Sequence, residues 1–208
     1  MKTFLSGDKS SRMDAFSDGV FSIVATLLVL DVKIPAIPEH HTNAELLESL
    51  KHALPSFVAF TFSFLTVIIY WINHDHISHW IKYYTPRMKY INLFFLFWIC
   101  LIPFPTKFIS EYPGEQIAVT IYGIVFIMLA MAATMLFWYI AFYTDSLNNG
   151  ISVNSRKKYL YKIIGGPILY AIAIWMSFVN VKVSIALYII IPLLYVVLPK
   201  AELVKEQE

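Results

Sequence analysis

The sequence predicts an all-α integral membrane protein with six transmembrane helices. Hydrophobic residues make up 58% of its 208 residues and charged residues only 14%, whereas charged residues are about 25% of a typical soluble domain. The mean hydropathy is +0.64, and the aromatic content of 16% suits the belts of Trp and Tyr at membrane interfaces. We therefore expect one membrane domain over residues 1–208 and no soluble domain.

Six apolar runs of sufficient length define the predicted spans. The six spans cover approximately residues 13–32, 54–73, 90–109, 117–143, 160–178 and 183–198. Pro35 and Pro38 end the first run, and the polar segment Glu39–Lys51 before the second has room for a short amphipathic helix. Pro103 and Pro105 lie near the end of the third run, where we expect them to kink or terminate the helix.

The last three runs are bounded in the same way. The turn Pro113–Gly114 precedes the fourth run, which is the longest and has enough length to tilt in the bilayer. A basic loop with Arg156, Lys157 and Lys158 leads into the fifth run, which Gly165–Pro167 weakens. The sixth run extends to a short charged tail.

Charge and cysteine content narrow the possible functions. The termini and loops on one side of the predicted topology carry 12 Lys and Arg, and those on the other side carry 4. This asymmetry predicts a multi-pass protein of the cell membrane with both termini in the cytoplasm. A net charge of +2 gives no reason to expect a nucleic-acid partner. Cys100, the single cysteine, excludes disulfides and thiolate metal sites as organising features.

The first span has two different faces on a helical wheel of about 100° per residue. With Ile23 at zero, Leu27 lies at about +40° and Leu30 at about −20°. Phe16 lies at about +20° and completes a narrow stripe of large apolar side chains. Ordinary core packing produces such a stripe, and so does a helix that lines a pore.

The opposite sector of this helix carries a carboxylate. Asp18 lies at about −140° on the wheel, near Asp14, Ala25 and Val29. Because an Asp near the centre of a transmembrane helix costs about 2.5–3.5 kcal/mol on insertion scales, Asp18 needs a polar partner within the protein. The candidate partners at a similar depth are Asn73, His74 and Asn92.

The polar residues of the first span form an ordered motif. It reads Arg12-x-x-x-Phe16-Ser17-Asp18, continued by Gly-Val-Phe-Ser-Ile and Thr26-Leu-Leu-Val-Leu-Asp31. The motif is similar to the signature of the transmembrane protein 175 family, which comprises lysosomal potassium channels and their prokaryotic relatives. The segment from Trp71 to His74, Asn92 and the pair Pro103-Phe104 are also similar, so the resemblance covers essentially the whole chain.

The resemblance implies a homotetramer of one six-helix repeat, in which the first helices surround a pore without a carbonyl filter. The chain indeed has no Thr-Val-Gly-Tyr-Gly loop. The implied function is a passive, potassium-selective cation channel. The resemblance implies no cofactor, and potassium is the permeating ion. The implied constriction consists of apolar layers at Ile23, Leu27 and Leu30, and the signature motif is assigned to interhelical hydrogen bonds.

Other readings of the same residues stay open at this point. Thr26 lies about 60° off the stripe, and a small rotation of the helix would add its hydroxyl to the pore as a polar layer. Arg12 faces the pore side at the cytoplasmic end. Lipid phosphate and a neighbouring subunit are equally suitable contacts for its side chain there. Asp18 and His74 are also a suitable relay for a proton or proton-coupled transporter. A non-conducting membrane scaffold is the third functional class.

Metal-dependent catalysis is the remaining class to weigh. His74, His76 and His79 lie together at the end of the second span, where membrane oxidases gather histidines. Three histidines are too few for a di-iron site, and no helix offers a carboxylate-rich partner motif. We therefore expect no metal site and no enzyme activity.

Overall fold

The chain is almost entirely helical in the computed structural model, which describes residues 4–32, 42–147 and 151–197. A short 3-10 turn, Leu28–Asp31, follows the first helix directly. The α-helices are α1 (Phe4–Leu27), α2 (Asn43–Ser78), α3 (Pro86–Leu101), α4 (Pro103–Glu111), α5 (Gln116–Tyr143), α6 (Val153–Ser177) and α7 (Val181–Val197).

Five stretches of the described chain are long and apolar enough to cross a membrane. They are Arg12–Asp31, Asn43–Ser78, Pro86–Glu111, Gln116–Tyr143 and Val153–Ser177. The sixth predicted span corresponds to α7, which is apolar but has only 17 residues. At a rise of about 1.5 Å per residue it is about 26 Å long, close to the lower limit for crossing the hydrocarbon core.

The second span is much longer than expected, because α2 begins at Asn43 rather than near residue 54. Thr42 and Glu45 form a capping box, in which each side chain binds the other's backbone N–H, so the helix starts in the polar segment. Pro55 lies inside the helix without ending it. The 36 residues of α2 extend over about 54 Å, which exceeds the thickness of the hydrocarbon core.

The third span is broken at Ile102, where proline chemistry was expected to kink it. Here α3 ends at Leu101 and α4 begins at Pro103, whose ring nitrogen has no proton to donate. The Ile99 carbonyl oxygen, which an N–H at position 103 would bond in a continuous helix, accepts instead from the Ile102 backbone N–H at 3.1 Å.

The fifth span also begins earlier than expected. Ser152 caps α6 by accepting a hydrogen bond from the Ser155 backbone N–H at 3.0 Å. As a result Arg156, Lys157 and Lys158, which the sequence placed in a loop, lie in the first turns of α6.

The buried core is centred on α5. Its fully buried side chains include Phe126, Leu129, Phe137 and Ile140, and α3, α4, α6 and α7 pack around it. In contrast, α1 packs mainly against α2 and α3, at the edge of the bundle. Among the described residues, one face of α1 therefore has no helix packed against it.

Candidate functional site

The face of α1 that packs on α2 and α3 follows helical spacing. Its buried residues are Ser17, Phe21, Val24, Ala25 and Leu28. Phe21 contacts the rings of His74 on α2 and Phe95 on α3, with ring centroids 5.8 Å and 6.0 Å away, and those two rings stack on each other. This contact fixes the rotation of α1 about its axis, and with it the direction of the opposite face.

The opposite face presents the predicted stripe to the outside of the subunit. Ile23 is 60% exposed, Leu27 44% and Leu30 73%, and we refer to these three residues as the α1 stripe. Phe16, on the same side, is 53% exposed. The stripe is therefore not part of the buried core, and its large apolar side chains are aligned on one exposed face of the helix.

The 3-10 turn at the end of α1 keeps Leu30 on the stripe. A 3-10 helix advances about 120° per residue, so side chains three apart are eclipsed. Leu30 consequently lies almost directly over Leu27. Val29 lies about 120° away from Leu30 around the helix, and its side chain is 51% exposed rather than packed in the core.

Two hydroxyls beside the stripe are bonded to the helix backbone. The Thr26 hydroxyl donates a hydrogen bond that the carbonyl oxygens of Ser22 and Ile23 share, at 3.0 Å and 2.9 Å. The Ser22 hydroxyl donates to the Asp18 carbonyl oxygen at 2.8 Å. Because the hydroxyl protons are used within the helix, the lone pairs of these oxygens are free to accept. Both side chains are exposed, so this part of α1 offers acceptor oxygens next to the apolar layers.

A buried hydrogen-bond chain joins α1 to α2 and α3. Asn92 Nδ2 donates to Ser17 Oγ at 3.0 Å, and Ser17 Oγ donates to the Met13 carbonyl oxygen at 3.0 Å. His74 Nε2 lies 2.9 Å from Asn92 Oδ1, which accepts only, so the Nε2 atom carries the proton. Ser17, His74 and Asn92 are all buried. The Ser17–Asn92–His74 chain thus supplies polar links between three helices.

Asp18 has a different partner from those expected. Its Oδ1 atom accepts a hydrogen bond of 3.0 Å from Trp71 Nε1, whereas His74 and Asn92 belong to the chain through Ser17. Asn73 lines a cavity of about 70 Å³ and has no hydrogen-bond partner among the described residues. Trp71 was missed, although a tryptophan N–H near the end of a span needs an acceptor and gives a usable signal.

Polar contacts also hold α1 near both of its ends, and neither was anticipated. Tyr84 donates a hydrogen bond of 2.6 Å to Asp14 Oδ1 near the end that carries the exposed Arg12. Burial, and then this bond, raise the pKa of the Tyr84 phenol above its usual range. Beyond the stripe, Lys107 Nζ lies 3.8 Å from Asp31 Oδ1. The stripe is held between these two contacts.

The histidines at the end of α2 serve separate contacts. His76 stacks on Tyr159 with ring centroids 6.4 Å apart. His79 Nδ1 donates to the Asp75 carbonyl oxygen at 2.7 Å, and that bond raises the pKa of the His79 imidazole. Within the described residues, no three His, Cys, Asp or Glu side chains are grouped to hold a metal ion.

Comparisons with known proteins identify relatives over most of the chain. A family model described as endosomal/lysosomal potassium channel TMEM175 matches residues 12–103. A potassium channel of Chryseobacterium sp. (strain P1-3) is 33% identical over 188 residues, which are 89% of this chain and 92% of that protein. The crystal structure of a lysosomal potassium-selective channel TMEM175 homolog from Chamaesiphon minutus matches with a TM-score of 0.79 and 28% identity, covering 91% of this chain and 97% of that one.

A vertebrate relative matches a shorter part of the chain. The endosomal/lysosomal proton channel TMEM175 of Gallus gallus is 34% identical over 110 residues, which are 50% of this chain and 22% of that protein.

Proposed function

The chain belongs to the TMEM175 family, since it covers 92% of a relative with 33% identity, and from this membership we propose that it is a passive, potassium-selective channel. The family is one of ion channels rather than enzymes. The observation that carries the proposal is the α1 stripe, in which Ile23, Leu27 and Leu30 are exposed on the isolated subunit. We place the constriction of the pore at this stripe.

A pore on α1 requires several copies of the chain, because one helix face cannot enclose an ion. We propose a homotetramer in which four α1 helices surround the axis with their stripes inward. The buried face of α1 packs on α2 and α3, so each subunit holds its pore helix in a fixed rotation.

The assembly prediction concerns the mass of the purified channel. Native mass measurement in mild detergent should give four copies of the chain, since four stripes are needed to line the pore. A monomer or dimer under conditions that preserve potassium flux would contradict the tetramer and the pore position together.

The constriction favours potassium by a dehydration barrier. Apolar side chains leave little room for a hydration shell and offer no oxygen atoms in exchange for lost water. The Born cost of removing water rises as the ionic radius falls, so the smaller sodium ion meets the higher barrier. Such a barrier selects potassium modestly and keeps conduction slow.

Thr26 is proposed as a polar layer next to the constriction. Its exposed oxygen keeps its lone pairs free because its proton binds the helix backbone. A ring of four such oxygens would offer a partly dehydrated cation acceptor groups near Ile23.

The orientation in the bilayer follows from charge. The protein is a membrane protein, and we propose that it lies in the cell membrane with both termini in the cytoplasm. The 12 Lys and Arg assigned to that side, against 4 on the other, support this arrangement. Arg12 then lies at the cytoplasmic entrance, close to lipid headgroups and to neighbouring subunits.

Proton conduction is the alternative function, because the vertebrate relative is named a proton channel. A relay through Asp18 and His74 is its simplest form. The contacts favour the potassium channel, since Asp18 binds Trp71 while His74 binds Asn92, so the two groups belong to different hydrogen-bond chains.

Ion flux into liposomes separates these functions. Purified protein reconstituted with equal gradients of potassium, sodium or protons should pass potassium faster than sodium, without saturation and without dependence on a proton gradient. Saturable flux that requires a pH gradient would instead identify a proton-coupled transporter. If the assembled protein passes none of these ions, the protein is a non-conducting membrane scaffold.

A further inference from the structure

An open groove lies between the start of α3 and the end of α5, on the side proposed to be cytoplasmic. Its volume is about 460 Å³. The residues that matter for its chemistry are Tyr83, Arg87, Tyr139, Tyr143 and Asp145. None of them belongs to α1 or to the proposed pore.

The groove contains charges of both signs. Arg87 and Asp145 both line it, and neither has a hydrogen-bond or ion-pair partner within the part of the chain that the structure describes. Ser146 is 0% exposed, so its side chain lies beneath the surface of the groove. The groove therefore offers a ligand one guanidinium group and one carboxylate.

The start of α3 adds a positive end to the same groove. Thr85 caps the helix by accepting from the Met88 backbone N–H at 3.2 Å, and Pro86 follows at the first turn. The backbone N–H groups of a first helical turn and the helix dipole favour anions, and phosphate in particular. Arg87 supplies a guanidinium group at this position, which suits a phosphate group well.

The aromatic side chains around the groove place it at the membrane surface. Tyr83 is 43% exposed and Tyr143 64%, and Trp138 packs beside Tyr143 with ring centroids 4.6 Å apart. Exposed Trp and Tyr at the end of a transmembrane helix are typical of the headgroup layer. The ligand that such a groove meets most often is therefore a lipid headgroup.

We propose that this groove binds the phosphoethanolamine headgroup of a membrane phospholipid. The phosphate binds the Arg87 guanidinium group at the start of α3, and the ammonium group binds the Asp145 carboxylate and the tyrosine rings. A purely anionic headgroup would use Arg87 but would meet the negative charge of Asp145. A headgroup with both charges satisfies both side chains.

Lipid binding to the purified, delipidated full chain tests the assignment. Native mass spectrometry would measure the adducts with phosphatidylethanolamine and with phosphatidylglycerol of identical acyl chains, and with inorganic phosphate alone. The variants are Arg87→Gln and Asp145→Asn, and Lys158→Gln on α6 serves as the control for loss of a surface charge outside the groove.

The wild-type chain should bind phosphatidylethanolamine at least about threefold more tightly than phosphatidylglycerol. Arg87→Gln should weaken both lipids about tenfold, because both use the phosphate site. Asp145→Asn should remove the preference by weakening phosphatidylethanolamine alone, and Lys158→Gln should change neither. Equal binding of the two lipids by the wild type, or binding unaffected by Arg87→Gln, would overturn the proposal. Displacement of the lipid by millimolar inorganic phosphate would overturn it too, by showing a free-phosphate site.

Discussion

Shortening Ile23 or Leu27 to alanine should raise potassium flux about tenfold and reduce the preference for potassium over sodium. Each substitution removes apolar side chain from the α1 stripe, where these residues are 60% and 44% exposed on the subunit. In a four-fold ring the opening widens, and water accompanies the ion through it. A tenfold rise corresponds to a barrier lower by about 1.4 kcal/mol. The measurement is paired potassium and sodium flux in liposomes.

The control for this experiment is Ile172→Ala. Ile172 is 46% exposed on α6, a helix that is not packed against α1. Its truncation removes a similar apolar group from the surface and should leave flux and selectivity unchanged. Val29 is less suitable as a control, because it is 51% exposed and directly precedes Leu30 in the sequence. If the ring variants assemble normally and behave like Ile172→Ala, the constriction is not on this stripe.

Replacing Asn92 with alanine should destabilise the protein by about 1 to 3 kcal/mol and lower the yield of assembled channel. The substitution removes the hydrogen bonds to Ser17 and His74, which join α3 to α1 and α2. Hydrogen bonds between membrane helices contribute about 0.6–1.7 kcal/mol each, and the remaining buried partners are left unsatisfied. Unfolding by a denaturing detergent, followed by circular dichroism, gives the free energy of unfolding.

Asn73→Ala is the matched control for this variant. Asn73 has the same side chain and lies next to His74, but it has no hydrogen-bond partner among the described residues and lines a cavity instead. Its replacement should cost clearly less stability than that of Asn92. Equal losses for the two variants would mean that the Ser17–Asn92–His74 chain adds no specific stability.

The direction of the α1 stripe was predictable because it depends only on local helix geometry. Phe21 and Leu28 lie on the buried face, and Ile23 and Leu27 lie on the exposed face. The rotation of about 100° per residue in an α-helix separates these two faces. The exposure of Val29 was not predictable in this way, because a helical wheel gives the direction of a side chain but not which residues pack against it.

The partner of Asp18 depends on tertiary packing. Side chains at equal depth were plausible partners, yet depth does not say which way each helix is rotated. The hydroxyl of Ser17 faces Asn92, and the neighbouring Asp18 is turned toward Trp71. The start of α2, in contrast, was readable in the sequence, since Thr42 and Glu45 have the spacing of a capping box.

The groove beside Arg87 has no sequence signature. Its lining combines the start of α3 with the end of α5 and Ser146, which are about 60 residues apart along the chain. Only packing brings them together. Each of these residues alone reads as an ordinary loop or interface residue.

Blocking of the pore through a cysteine on the stripe tests the location of the channel most directly. Leu30→Cys would be prepared in a Cys100→Ala background, since Cys100 is otherwise the only thiol, and treated in liposomes with a positively charged methanethiosulfonate reagent. Leu30 is 73% exposed on the subunit, so the reagent should reach it through the pore and reduce potassium flux at least about tenfold. The same treatment of Ile172→Cys should leave flux unchanged. Complete modification of Leu30→Cys, verified by mass, with undiminished potassium flux would contradict a pore on α1.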